Sequence, residues 1–203
     1  MPSVWWPCKN VIGLDLEVTT PQNTGRIVQV GLAGDGWSES IVIDPETEMG
    51  KQPDTIPGVT QEELEYKQPF EAHVERLHRL LTGAVVVGHN VSVDLRHLSN
   101  AFERAGYEPP RFERTICTWQ LCRRSGMPGP HSLKNACDMI NIDRDGQWHN
   151  ARSDAVAAWR LYAALMNRHP ELRRYYYRRE CYCRSTHFIE DPWVRDARLS
   201  PIE

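Results

Sequence analysis

"VIGLDLEV" (residues 11–18) is an apolar run that predicts the first strand of a packed sheet, and two carboxylates, Asp15 and Glu17, interrupt it. A buried carboxylate is unfavourable unless a partner offsets its lost hydration. Residues i and i+2 of a strand point to the same face, so the two acids lie side by side. Like charges that close raise a pKa unless a cation intervenes. A hard divalent ion with oxygen ligands is one such partner. A solvated sheet face is the other reading, and the pair alone does not choose between them.

Outward from this strand, "RIVQVGLAG" (26–34) and "ESIVID" (39–44) read as two further strands, separated by "TTPQNTG" and "GDGW". Links this short favour an antiparallel meander. The pattern then becomes helical. "TQEELEY" (60–66) has a capping-box start, with Glu63 three residues after Thr60. "PFEAHVERLHRLLTG" (69–83) begins at Pro, ends at Gly and aligns Phe70, Val74, Leu77, Leu80 and Leu81 on one face. "AVVVGHN" (84–90) has the unbroken apolar character of a buried parallel strand. An amphipathic helix (91–106), a short strand "RTICTW" (114–119) leading into "QLCRR", and a helix over 131–140 follow. "ARSDAVAAWRLYAALMNR" (151–168) is the clearest helix, with Asn150 placed to cap it. Meandering strands followed by alternating helix and strand imply an α/β fold, a mixed sheet with helices on its faces.

The chain has 203 residues, enough for one α/β domain with a short appendage. Its net charge of −3 does not by itself advertise nucleic-acid binding. The distribution says more: acid dominates 44–71, and arginine dominates 168–184. The cysteines Cys8, Cys117, Cys122 and Cys137 are scattered and form no disulfide framework. The start lacks a secretory pattern, and no stretch approaches a membrane span. A soluble, reduced, cytoplasmic protein is the expectation.

Three more acidic or imidazole positions stand at element ends. Asp94 falls in the first turn of the helix after "VVVGHN", and Asp154 in the first turn of the Ala-rich helix, with His149 five residues earlier. Alone, Asp94 is as readily a helix-start acid, Asp154 is more often one, and His149 is more often a loop histidine. As an ordered set, "DLE" (15–17), "GHNVSVD" (88–94) and "HNARSD" (149–154) resemble the three motifs of the DnaQ-like 3′–5′ exonucleases of the DEDDh group. "RIVQVGL" (26–32), "PGVTQEEL" (57–64), "TICTWQLCR" (115–123) and "HSLKNAC" (131–137) match the family's intervening signals in order, so the resemblance runs from Val11 to Met166. Departures are Val18 where the family's first Thr stands, Pro57-Gly58 in place of His-Gly, and Val93 where a Phe commonly precedes the Asp. They concern substrate contacts rather than metal ligands.

The weakly periodic residues 169–203 read as a basic, aromatic extension; the resemblance implies an exonuclease domain over 1–168, with a ribonuclease H-like mixed five-stranded sheet flanked by helices. It implies two Mg²⁺ or Mn²⁺ ions ~3.5–4 Å apart clamping an in-line displacement. Asp15 would bridge them, Glu17 and Asp154 would complete the site of the attacking water, and Asp94 would hold the second ion. His149 would be the general base, a task suited to an imidazole. Leu16, Val18, Thr19, His89 and Asn90 would line the cleft for the 3′-terminal nucleotide, with a satisfied turn at the strand end as the other reading of His89 and Asn90. Ser132 is read either as a substrate contact with Lys134 or as a helix cap. The substrate would be nucleic acid, with single-stranded or frayed DNA favoured over RNA and a polymerase as a candidate partner. The alternatives are a 3′–5′ exoribonuclease of the same fold and a non-catalytic, polymerase-associated nucleic-acid-binding subunit. A ribonuclease H-like endonuclease would normally lack the histidine before the last Asp.

"RHPELRRYYYRRECYCR" (168–184) interleaves arginine with tyrosine, a composition that suits single-stranded nucleic acid or a helix extension packed on the domain. Arg173, Arg174, Arg178 and Arg179 would carry any such grip. Cys181, Cys183 and His187 lack the usual zinc-ligand spacing. The tryptophans, Trp119 among them, read as core or partner-facing, with Trp148 singled out for its place beside His149.

Overall fold

A computed structural model describes residues 10–47, 59, 60, 64–143, 146 and 149–173. Strands β1 (Val11–Val18), β2 (Ile27–Gly34) and β3 (Trp37–Val42) form the expected antiparallel meander. β4 (Val85–Gly88) lies parallel to β1, and β5 (Arg114–Cys117) parallel to β4. The order is β3-β2-β1-β4-β5, a mixed five-stranded sheet. β3 starts earlier than the apolar run suggests. Trp37 pairs with Gly34, leaving Asp35 and Gly36 as the turn, and Gly36 takes φ +73°. On the sheet's edge, pairing carries polar residues such as Ser38 and Ser40 into the strand without burying them.

Among the described residues the helices named here are α1 (Val74–Leu81), α2 (Ser92–Arg104), α3 (Thr118–Arg124), α4 (Leu133–Met139) and α5 (Ala151–Arg168). The helix expected over 69–83 opens as a tight 3₁₀ turn at Phe70–His73, and Gly83 closes it at φ +73°. Of its predicted face, Phe70, Val74, Leu77 and Leu81 are buried and Leu80 is partly so. Of the capping-box helix of 60–66, residues 61–63, with Glu63, lie outside the described residues; Leu64 is buried and its amide donates to the Thr60 carbonyl (3.2 Å). No described helix is long and apolar enough to cross a membrane.

Strand alternation divides β1 between two layers. Ile12, Leu14 and Leu16 pack with Val74, Leu77, Leu98 and Phe102 of α1 and α2. Gly13, Asp15 and Glu17 point the other way, toward α5. That helix lies unusually close to the sheet because two glycines admit it. A Cβ on Gly13 would stand 2.6 Å from the Ala155 carbonyl oxygen, and one on Gly31 would overlap the Ala151 backbone. Buried Ala151, Ala155, Ala157 and Ala158 complete the close fit. Beyond α5 a turn at Pro170–Leu172 returns Leu172 to the core, and Arg173 Nε donates to the Met166 carbonyl (2.9 Å). Residues 174–203, with the tyrosines, Arg174, Arg178, Arg179, Cys181 and Cys183, lie outside the described residues, as does Trp148.

Candidate active site

β1 delivers Asp15 and Glu17 to the layer occupied by α5, and the first turn of α5 delivers Asp154. One carboxylate oxygen from each of the three lies within 4.8 Å of the others. Asp94, buried in the first turn of α2, accepts a hydrogen bond from the Leu16 amide (3.1 Å), which ties the second acidic segment to the strand between the first two acids. Burial and mutual repulsion act together here. Burial first, then the charges of Asp94, Glu17 and Asp154, hold the Asp15 carboxyl well above the ordinary range. Burial, Asp154 and Asp94 push Glu17 up to about 7. Burial lifts Asp94 to about 7 against the opposing pull of the Leu16 amide. An all-oxygen donor set that repels itself this way fits a hard divalent cation, which would relieve the repulsion.

His149 precedes α5 in a left-handed turn, φ +61°, a conformation sparsely populated by non-glycine residues. Its amide donates to Asp154 Oδ2 (3.1 Å), so the acid fixes the histidine's backbone while facing the cluster. The imidazole-bearing residue is exposed. Asn150 caps α5 as its sequence suggests, accepting from the Ser153 amide (3.2 Å).

The expected substrate-contact residues divide by role. The Leu16 side chain is in the core on the opposite face from the acids, and Val18 is half-buried against that core. Thr19 closes the loop that follows: its Oγ1 accepts from the Arg26 amide (3.1 Å), and its own amide donates to the Arg26 carbonyl (2.9 Å). The His89 ring is engaged at both nitrogens, by Thr118 Oγ1 (2.9 Å) and the His131 carbonyl (2.8 Å), and burial lowers its pKa. Asn90 is exposed in a left-handed turn at φ +62°. Ser132 caps α4 by accepting from the Asn135 amide (3.3 Å), and Lys134 pairs with Asp138 on the surface (2.5 Å).

Two groups of supporting residues escape a reading of motifs. Along α2, Arg96, Asn100 and Arg104 donate to the carbonyls of Pro21, Asn23 and Gly25 (3.5, 3.2 and 3.5 Å), holding the loop after the acid pair. The second is Gln29, only 3% exposed, in an otherwise apolar β2. Its Oε1 accepts from the Ala151 amide at the start of α5 (2.9 Å), and its Nε2 donates to Ser40 Oγ (2.9 Å). A single amide inside an apolar strand is the sequence signal for it. Gln29→Ala leaves a buried backbone N–H without its acceptor, which costs about 1–3 kcal/mol. The expected results are a Tm lower by roughly 5 °C and a kcat lower by about 10–100-fold from displacement of Asp154 and His149. Thermal melts beside steady-state rates check both, and an unchanged kcat in a destabilised variant would confine Gln29 to stability.

The exonuclease family model (RNase T) matches residues 12–162, from β1 to α5. The chain is 27% identical over 189 residues to the 3′–5′ exonuclease DinG of Bacillus subtilis (strain 168), covering 88% of this chain and 20% of that protein. It is 26% identical over 164 residues to the DNA polymerase III subunit epsilon of Rickettsia prowazekii (strain Madrid E), covering 75% of this chain and 72% of that protein. In three dimensions it resembles Exonuclease X in complex with 5′ overhanging duplex DNA, with TM-score 0.59, 20% identity, and 85% and 96% of the two chains covered. It also resembles E. coli Exonuclease I in complex with a dT13 oligonucleotide, with TM-score 0.63, 19% identity, and 81% and 42% covered. The sheet order and these likenesses make the fold ribonuclease H-like. With the family match spanning the whole sheet and all the acidic positions, the chain belongs to the DnaQ-like exonuclease family.

Proposed function

We propose that the chain is a divalent-metal-dependent 3′–5′ exonuclease of the DEDDh type, acting on single-stranded or frayed 3′ ends of DNA and releasing nucleoside 5′-monophosphates. One observation carries this reading: carboxylates from β1 and α5 converge to within 4.8 Å, in a family of exonucleases. Asp15, Glu17, Asp154 and Asp94 would hold two Mg²⁺ or Mn²⁺ ions. When bound, such ions neutralise charge on the phosphoryl and leaving oxygens. His149 accepts the proton of the attacking water at its ring nitrogen as the new P–O bond forms. The bond from phosphorus to the 3′ oxygen of the remaining strand breaks, and that oxygen takes a proton from solvent. The left-handed turn and the Asp154 contact hold the His149 backbone beside the acids, while exposure leaves its ring free to meet water.

Support for DNA over RNA comes from a relative by sequence, a DNA polymerase III subunit. The test uses 5′-labelled single-stranded DNA, frayed duplex DNA and single-stranded RNA, each with Mg²⁺, Mn²⁺ or EDTA. The expected result is a ladder shortening from the 3′ end, fastest on DNA and abolished by EDTA. A faster RNA ladder would reverse the substrate assignment, and internal cuts would overturn the exonuclease.

A further inference from the structure

The register of the parallel strands carries the edge that holds the acids sideways to a second cluster. Gly13 pairs with Val87, and Gly88 with Cys117, so the register sets Asp15, midway along β1, abreast of His89 and Thr118, the residues just past β4 and β5. His89 bonds Thr118 on one side and the His131 carbonyl on the other. Next in the chain is Trp119, 36% exposed although its neighbours Thr118 and Leu121 are fully buried. The Arg123 guanidinium lies over the Trp119 ring, 4.9 Å from its centroid, and the His131 ring stands edge-on to it, at 6.4 Å and 90°. A tryptophan at this position is expected in the core or against a partner. Here α3 presents it, with an exposed arginine on its face, and the strand leading into α3, β5, lies two strand spacings, about 10 Å, from β1.

We propose that Trp119 and Arg123 form a subsite for the unpaired strand of the substrate, upstream of the scissile phosphate. This rests on the exonuclease reading above. A 3′–5′ exonuclease removes the terminal nucleotide, so the polymer extends from the acids in one chemical direction only, toward its 5′ side. An aromatic face and a planar guanidinium stack on bases of any sequence, and the arginine charge also meets the phosphates that separate them. The ring contact with Arg123 and His131 pre-orders the pair, so little side-chain freedom is lost when a base arrives. The chain's net charge of −3 makes such a local cation more telling than it would be on a basic protein.

The experiment compares wild type with Trp119→Ala, Trp119→Phe, Arg123→Ala and Arg123→Lys on two substrates, a single-stranded DNA 20-mer and the p-nitrophenyl ester of thymidine 5′-monophosphate. The ester has no upstream nucleotide. Trp119→Ala is expected to raise KM for the 20-mer roughly tenfold, with Trp119→Phe recovering most of the loss. The loss on the 20-mer should exceed that on the ester by a similar factor. Arg123→Ala should lower the slope of log Kd against log salt by about 0.7, and Arg123→Lys should preserve it. Anisotropy of a labelled dT20 in EDTA reads binding without turnover. Equal losses on both substrates, or an unchanged Kd for dT20 in the Trp119→Ala and Arg123→Ala variants, would overturn the subsite. Inactivity of the wild type on both substrates would overturn the exonuclease reading instead, and the anisotropy arm would still decide the subsite.

Discussion

Replacing Asp15 by Asn is expected to lower exonuclease turnover at least about a thousandfold, because metal-assisted charge neutralisation contributes several kcal/mol and each 1.36 kcal/mol is tenfold in rate. The same substitution should make the metal-free protein more stable. Asn is a near-isosteric, neutral stand-in for the protonated acid, and Asp15 is the carboxyl on which burial, Asp94, Glu17 and Asp154 all act in the same direction. The pH dependence follows from the sign of the shifts. Glu17 is raised from 4.5 to about 7 in the folded chain. Between those values the folded state keeps a proton that the unfolded state has released, so stability falls as pH rises through this window. The loss is complete above about 7 and amounts to on the order of 3 kcal/mol from this group. Urea denaturation of wild type and Asp15→Asn at pH 5 and pH 8, with EDTA or Mg²⁺, checks both effects. Mg²⁺ should restore wild-type stability at pH 8 and do little for the variant. A variant that is inactive yet no more stable without metal would mean that the acids do not repel one another in the folded chain.

His149→Ala should lower kcat by about 10²–10⁴, the usual contribution of a positioned base, with KM and the Mg²⁺ concentration for half-activity changed little. The backbone role supports this separation. The His149 amide donates to Asp154, and deleting the ring leaves that contact in place. Single-turnover rates across a Mg²⁺ titration distinguish the outcomes. A loss that excess metal repairs would show that the ring supports the acidic cluster instead of taking the proton. The pairing of this result with Asp15→Asn is informative, because the histidine variant should not share the stability gain.

The sequence by itself determined the elements and most of their neighbours. Short turns after β1 and β2 leave the chain no room for a crossover, so the antiparallel meander is a local consequence. The buried run 85–88 needs a parallel partner and helices on both faces. Asn150 and Ser132 declare their caps through side-chain oxygens one residue outside each helix. The acids were legible because D-x-E in an apolar strand is costly without a purpose, and the ordered motifs supplied that purpose.

What only the tertiary structure decided are the contacts between segments far apart in the chain. Nothing local indicates that Asp94 accepts from Leu16, 78 residues away, or that Gln29 anchors an amide 122 residues on. Thr19 and His89 read as cleft residues, and their own partners come from the packing: the Thr19 hydroxyl closes its own loop, and both His89 nitrogens are engaged, by Thr118 and the His131 carbonyl. Trp119 reads as core or partner-facing, and it is α3 that turns it outward under Arg123. Backbone pattern and hydrophobic period are properties of neighbouring residues, and they are written in the sequence. The partner of a buried polar group is chosen by which surfaces the packed layers bring together. Here that choice belongs to Gly13 and Gly31, which let α5 settle against the sheet and carry Asp154 to Asp15 and Glu17.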